Sequence, residues 1–207
     1  MATLLKAEQR TPEWFAGRLG RASASRFGDI MAKTRSGYSA SRKNYAAELV
    51  AERLTGQRNE LYTTTAMQWG IDNEPLARLE YELAMNVTVD ETGFWMHDEI
   101  MAGASPDGLI SDDGCLEIKC PNTATHIETL MKGKIPYQYW AQVQGQLWIT
   151  DRLWSSFVSY DPRMPENAQK IIIHVDRDDV YIAELEEEVI SFLAEVDNQV
   201  EFVKNYK

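Results

Sequence analysis

Ser105-Pro106-Asp107-Gly108-Leu109-Ile110, then Ser111-Asp112-Asp113-Gly114, then Cys115-Leu116-Glu117-Ile118-Lys119-Cys120-Pro121 is the stretch on which the fold of this chain turns. Two segments rich in apolar residues flank a cluster of turn formers, which is the pattern of a β-hairpin. On an extended second segment, side chains alternate between faces, so Glu117 and Lys119 point one way and Leu116, Ile118 and Cys120 the other. Taken alone, charges on one face and apolar groups on the other describe an ordinary surface strand. Asp107 alters that reading, because it lies ten residues before Glu117 across the turn, and a hairpin can bring the two carboxylates together. They share a face only if the loop has an odd number of residues. A three-residue loop Asp112-Asp113-Gly114, with Gly114 left-handed, meets this condition and pairs Leu109 with Glu117 and Asp107 with Lys119. Converging carboxylates offer oxygen ligands to a hard divalent cation. The lysine beside them offers a charge-neutralising or proton-handling group.

Working outward, Ser23–Met31 reads as a short helix capped near Ser23 or Ser25, and residues 35–39 as a polar loop. Ser41 can cap a helix to Thr55 that turns Tyr45, Leu49 and Leu54 inward and stops at Gly56. A further helix is expected from about Asp72, with Pro75 in its first turn and Leu76, Leu79 and Leu83 at helical spacing. The period then changes. Gly93–His97, Met101–Ile110 and Cys115–Cys120 read as strands, Thr123–Lys132 and Tyr137–Ile149 as helices, and Leu153–Tyr160 and Lys170–Val175 as strands. A long acidic helix over Asp179–Val203 places Leu185, Val189, Phe192, Val196, Val200 and Val203 on one stripe. This order predicts a mixed α/β or α+β fold, read as one domain over residues 1–207.

Composition narrows the function classes. With 44% hydrophobic residues among 207, the chain can build a core, and no apolar run approaches a membrane span. The segment Met1–Arg10 lacks the apolar centre of a secretory signal, so a cytoplasmic location is the expectation. Cys115 and Cys120, roughly 16 Å apart on opposite faces of one strand, cannot form a disulfide. The three histidines are scattered without metal-ligand spacing. The net charge of −11 argues mildly against nucleic-acid binding, but it is unevenly spread. Residues 1–60 hold eleven Lys and Arg against six Asp and Glu, and the remainder ten against twenty-six. That split suits a basic lip on an acidic body.

The spacing Pro106-Asp107, nine residues, Glu117-Ile118-Lys119 resembles the PD-(D/E)xK nuclease superfamily. Its neighbours sharpen the likeness: Trp14, Arg18, Gly20 and Ser25; Trp69-Gly70 with Glu74; Ala141-Gln142-Val143-Gln144; and Tyr160-Asp161-Pro162-Arg163-Met164. In this order they resemble the lambda-exonuclease-like, YqaJ-like viral recombinase family over about residues 12–200. The resemblance implies a restriction-endonuclease-like core, a central mixed sheet flanked by helices. It also implies a processive Mg²⁺-dependent 5′→3′ exonuclease on double-stranded DNA ends, leaving 3′ overhangs for annealing. Two ions are expected, for which Mn²⁺ can substitute. Asp107, Glu117 and the Ile118 carbonyl would be metal ligands, with Glu74 completing the site, directly or through water. Lys119 would position or activate water and Gln142 would orient groups at the scissile phosphate. Arg18, Ser25 and Ser105 would surround the 5′-phosphate, and Arg35 would touch DNA near its end. A closed homotrimer, an annealing-protein partner and a host-cell cytoplasmic location are likewise implied. Two alternatives stand beside this reading: an endonuclease on the same fold, and an inactive DNA-end-binding module. An iron–sulfur exonuclease is disfavoured, since two cysteines cannot hold a cluster that needs four.

Overall fold

A computed structural model describes residues 1–35, 37–58 and 64–207. Ser36, part of the expected polar loop, lies outside the described residues. The strands sort into two four-stranded sheets and a small hairpin. The first sheet has the order β1-β5-β6-β2, formed by β1 (Ala2–Leu5), β5 (Phe94–His97), β6 (Ala102–Ala104) and β2 (Ala22–Ser23). The second has the order β10-β9-β8-β7, formed by β7 (Gly108–Ile110), β8 (Gly114–Lys119), β9 (Trp154–Tyr160) and β10 (Lys170–Asp176). It is mixed, because β8 runs antiparallel to β7 and parallel to β9. Parallel neighbours need a crossover, and here α5 (Thr123–Lys132) and α6 (Trp140–Thr150) supply it. Lys33–Thr34 (β3) and Gly37–Tyr38 (β4) turn the expected polar loop into a short antiparallel hairpin.

Both faces of the second sheet are covered. Leu116, Ile118, Val158 and Tyr160 pack against Ala77 and Tyr81 of α4 (Thr65–Met85). Cys115 and Phe157 pack against Val143 and Leu147 of α6 and Ile182 of α7 (Asp179–Lys204). Strand β8 is therefore an interior strand, so any charge on it needs a partner. The largest core lies between α2 (Phe27–Met31), α3 (Ala40–Thr55), α6 and α7, around Phe27, Leu49, Leu185, Val189 and Phe192. Each such fully buried side chain contributes about 1.5–3 kcal/mol. The stripe expected on α7 is buried as far as Val200 and ends at an exposed Val203. Gly145 lets α6 approach α2, because a Cβ there would lie 2.4 Å from the Phe27 ring.

Several elements differ from the sequence-based expectation. The hairpin loop is Ser111-Asp112-Asp113 and pairs Leu109 with Cys115, and the residue with positive φ is Ser111, not Gly114. Gly114 is instead kept small by the Trp154 ring packed over it. The odd loop count holds, and with it the shared face. Helix α4 starts at Thr65, seven residues before the expected Asp72, because Thr64 caps it by accepting from the Met67 amide. Pro75 thus lies mid-helix, where its missing N–H costs one hydrogen bond; burial of Ala77 and Tyr81 holds the helix across it. Leu76, Leu79 and Leu83 share the outer face and are exposed. Met101–Ile110 is not one strand: it divides at Ser105-Pro106-Asp107, β6 joining one sheet and β7 the other. Ser23–Met31 is a strand end, a 3₁₀ turn and the short α2. Helix α1 (Pro12–Arg18) and β1 were not anticipated.

Candidate active site

The break at Pro106 sets the site. Pro106 has no amide to extend β6, and its carbonyl is held by the Gln9 side chain at 2.8 Å. The chain then enters β7 with Asp107 donating its amide to the Leu116 carbonyl at 3.0 Å. The Asp107 carboxylate accepts from the Ile118 amide at 2.7 Å, so the side chain itself continues the pairing with β8. Burial, then Glu117 and Glu74, push the Asp107 carboxyl well above the ordinary carboxylate range, against the opposing pull of Lys119 and the Ile118 amide.

Glu117 sits mid-strand on the face turned to α6 and is 1% exposed. Three donors satisfy it: Lys119 Nζ at 2.5 Å and Gln142 Nε2 at 2.6 Å on Oε1, and Gln146 Nε2 at 2.6 Å on Oε2. Burial works against the Lys119 ammonium, but Glu117 and Asp107 outweigh it and raise its pKa. The ammonium also lies 5.1 Å from the centre of the Tyr139 ring. Glu74, on α4, is held by Arg10 at 2.5 Å and Arg78 at 3.3 Å.

Asp107, Glu117, Ile118, Lys119, Glu74 and Gln142 line a cleft of about 1020 Å³. Arg18, Ser25 and Ser105 line it too. The Arg18 guanidinium stacks over Trp14 at 4.2 Å, and burial lowers its pKa to about 10. Ser105 accepts from the Trp14 indole at 2.9 Å and donates to the Gly93 carbonyl. Ser25 is exposed, 3.2 Å from the Ser23 hydroxyl, and together with Arg18 it also lines an adjoining cavity of about 280 Å³. Asp107, Glu117, Lys119, Glu74, Gln142, Arg18, Ser25 and Ser105 thus share one cleft. Arg35 does not: it is exposed at the turn of the β3–β4 hairpin and lines neither cavity.

The donor set suits a hard cation. Two carboxylates crowd one another, a third is near enough to raise the proton affinity of the first, and the ammonium of Lys119 already sits where positive charge is needed. Among the described residues no three His, Cys, Asp or Glu side chains gather as a ligand set. An ion here would be held by few protein oxygens, the remaining positions being open to water or substrate.

Gln146, Tyr139, Arg10 and Arg78 escaped the sequence reading. Gln146 had a signal, lying one helical turn beyond Gln142 and so on the same face of α6. Tyr139 and the arginines around Glu74 had none, because their positions depend on how separate elements pack. The three histidines carry no role at the cleft; His126, fully buried, bonds Ser159 and the Ala168 carbonyl. Among the described residues no helix is long and apolar enough to cross a membrane.

Comparison with known proteins gives the family and the fold. The sequence pattern of the YqaJ-like viral recombinase domain matches residues 13–153. No curated protein matches the chain. Among solved structures, the alkaline exonuclease LHK-Exo of Laribacter hongkongensis is similar, with 48% identity, a TM-score of 0.88, and coverage of 94% of this chain and 96% of that one. The same enzyme in complex with dAMP superposes equally well. A phage-related exonuclease of Haemophilus somnus 129PT, at 14% identity and a TM-score of 0.71, covers 88% of this chain and 96% of that one and shares the fold. The two-sheet core with its paired carboxylates and lysine is thus a PD-(D/E)xK core, and the chain belongs to the YqaJ-like viral recombinase family.

Proposed function

We propose that this nuclease, acting as a single domain over residues 1–207, degrades one strand of double-stranded DNA from its ends in the 5′→3′ direction with Mg²⁺. It would leave 3′ overhangs for recombination by annealing. The carrying observation is the convergence of Asp107, Glu117 and Lys119 in a cleft that Arg18, Ser25 and Ser105 also line. The alkaline exonuclease activity named for the 48%-identical neighbour, and its complex with a mononucleotide, support this reading.

Asp107, Glu117 and the Ile118 carbonyl would hold the metal, with Glu74 contributing through water; two ions are proposed, and Mn²⁺ would serve in their place. When bound, the metal supplies Lewis acidity at the scissile phosphate and a water acidic enough to attack at neutral pH. The chain's own residues supply the rest. Gln142 and Gln146 fix both oxygens of Glu117, so that carboxylate is oriented before substrate arrives. Lys119, kept charged by its carboxylate neighbours, donates hydrogen bonds and offsets the charge that develops on phosphate oxygens. Arg18 with the hydroxyls of Ser25 and Ser105 forms a cradle for a terminal 5′-phosphate, which carries more charge than an internal diester. Each cut would expose a new 5′-phosphate, so the same cradle could draw the strand forward. Arg35 would contact DNA outside the cleft. A closed homotrimer, an annealing-protein partner and a host cytoplasmic setting complete the proposal.

The test is incubation of end-labelled linear duplex and closed circular DNA with Mg²⁺. Mononucleotides from the 5′ ends of linear DNA, with circles untouched, are expected. Cutting of circles would refute end dependence in favour of an endonuclease, and no cutting at all would leave only an end-binding module.

A further inference from the structure

Arg163 follows β9 on the cleft wall and has no part in the chemistry so far. Its side chain is fixed on two sides. Nε donates to Oδ1 of Asp161 at 2.7 Å, and Nη2 to Oδ2 at 2.8 Å. Its guanidinium lies over the Trp69 ring at 4.3 Å. Asp161 is fully buried and also accepts from Thr123 in the first turn of α5, so the fork is tied to that helix end. Nη1 has no protein partner among the described residues, and the side chain is 49% exposed. A buried carboxylate could have been neutralised by an arginine facing anywhere; this one lines the cleft with Asn122 and Thr125. The first turn of α5 carries no acidic residue, so its positive dipole end reinforces the same wall.

Sheet order gives the arrangement across the cleft. Strand β7, entered through Ser105 and Asp107, flanks β8 on one side, and β9 flanks it on the other. Lys119 ends β8 opposite Ser159 of β9, so Asp161 and Arg163 emerge just beyond Lys119, on the side away from Ser105. We infer that Arg163 binds a backbone phosphodiester of the strand being cut, on the 3′ side of the scissile bond. This inference rests on the exonuclease reading above. A fork already immobilised by Asp161 and Trp69 loses little freedom on meeting a phosphate, which favours tight and geometrically selective contact. It would keep the 3′ flank of the strand in line while the 5′ end is consumed.

The experiment pairs Arg163→Met with duplexes carrying one neutral methylphosphonate at successive positions, with binding read by fluorescence anisotropy in Ca²⁺ to prevent cutting. Neutralising the phosphate 3′ to the scissile bond should weaken wild-type binding about tenfold. Arg163→Met should show the same loss on natural DNA and no further loss on that modified duplex. Its log–log salt slope should be shallower by about 0.9. Arg163→Lys should recover part of the affinity. Because Arg163→Met leaves Asp161 buried without its partner, the Asp161→Asn/Arg163→Met pair serves as the second variant and should repeat the result. Additive losses at that position, coupling to a complementary-strand phosphate instead, or wild-type affinity in the paired variant would overturn the inference. A wild-type protein that fails to shorten 5′-phosphorylated duplex would refute the exonuclease reading itself, and the inference with it; missing coupling alone leaves that reading standing.

Discussion

Replacing Lys119 by methionine keeps the aliphatic stem and removes one positive charge. Glu117 would then hold a buried negative charge on two neutral amides, Gln142 and Gln146. Breaking a buried ion pair from one side costs about 3–5 kcal/mol. The Lys119 side chain is 25% exposed, so the lower end, about 3 kcal/mol, is expected. For a chain of this length that is a fall in Tm of about 6–12 °C in the absence of metal. Much of it should return with saturating Ca²⁺, because a bound cation restores positive charge beside Glu117. Hydrolysis in Mg²⁺ should fall by about 10²–10³, the cost of losing one group aimed at developing charge. DNA affinity in Ca²⁺ should hold, since binding is spread over many phosphate contacts. Circular-dichroism melts with chelator and with Ca²⁺, beside a labelled-duplex assay, measure all three. Cleavage within about tenfold of wild type, or an unchanged metal-free melt, would refute the role given to this charge.

Asp161 offers a pH test. Arg163, then Thr123, hold its carboxyl down to about 2 in the folded protein, below the unfolded value, so the stability it adds is present above pH 4 and lost as pH falls towards 2. With Arg163 half-exposed, about 1–2 kcal/mol is expected, so a urea-melt gap between wild type and Asp161→Asn at pH 6 should close near pH 2; a constant gap would contradict the pairing. Arg18→Ala should abolish the preference for 5′-phosphate over 5′-hydroxyl ends more than it slows a single cut, and equal wild-type rates on both ends would remove the cradle. Gly93→Ala would put a Cβ 2.0 Å from the Leu5 carbonyl and 2.8 Å from that of Ala7, both backbone. A loss of about 1–3 kcal/mol in thermal or urea melts is expected, and a neutral effect would contradict the close packing of β1 on β5.

The catalytic face was legible because it depends on parity. An odd loop places Asp107 with Glu117 whichever three residues form it, so a loop misplaced by one residue left the site intact. The helix to Thr55 was legible from its stopping Gly56, a local signal, although its N-cap is Ser39 rather than the expected Ser41 and makes no side-chain cap bond, and Thr123–Lys132 has the expected bounds. The start of α4 was obscured because Pro75 looks like a first-turn residue, and only packing against the sheet shows that the helix runs through it. The break in Met101–Ile110 was also hidden: its two halves are each apolar, and which sheet each joins is decided by partners far along the chain. The same holds for Tyr139 beneath Lys119 and Arg10 on Glu74, contacts between elements that no local pattern encodes.

The division of that segment between two sheets makes it a measuring device. Ser105 is anchored to the first sheet through Gly93 and to Trp14, while Asp107 is anchored to the second through Ile118. One residue, Pro106, separates them, and its ring-locked φ makes it a stiff spacer. If the cradle grips the terminal phosphate and the carboxylates oversee the cut, the stride of the enzyme is set by this span. Neither sheet can drift without the other, so that stride would be written into the covalent backbone rather than into a moving part. A residue inserted between Ser105 and Pro106 would lengthen the span, while the hairpin loop would still hold Asp107 beside Glu117.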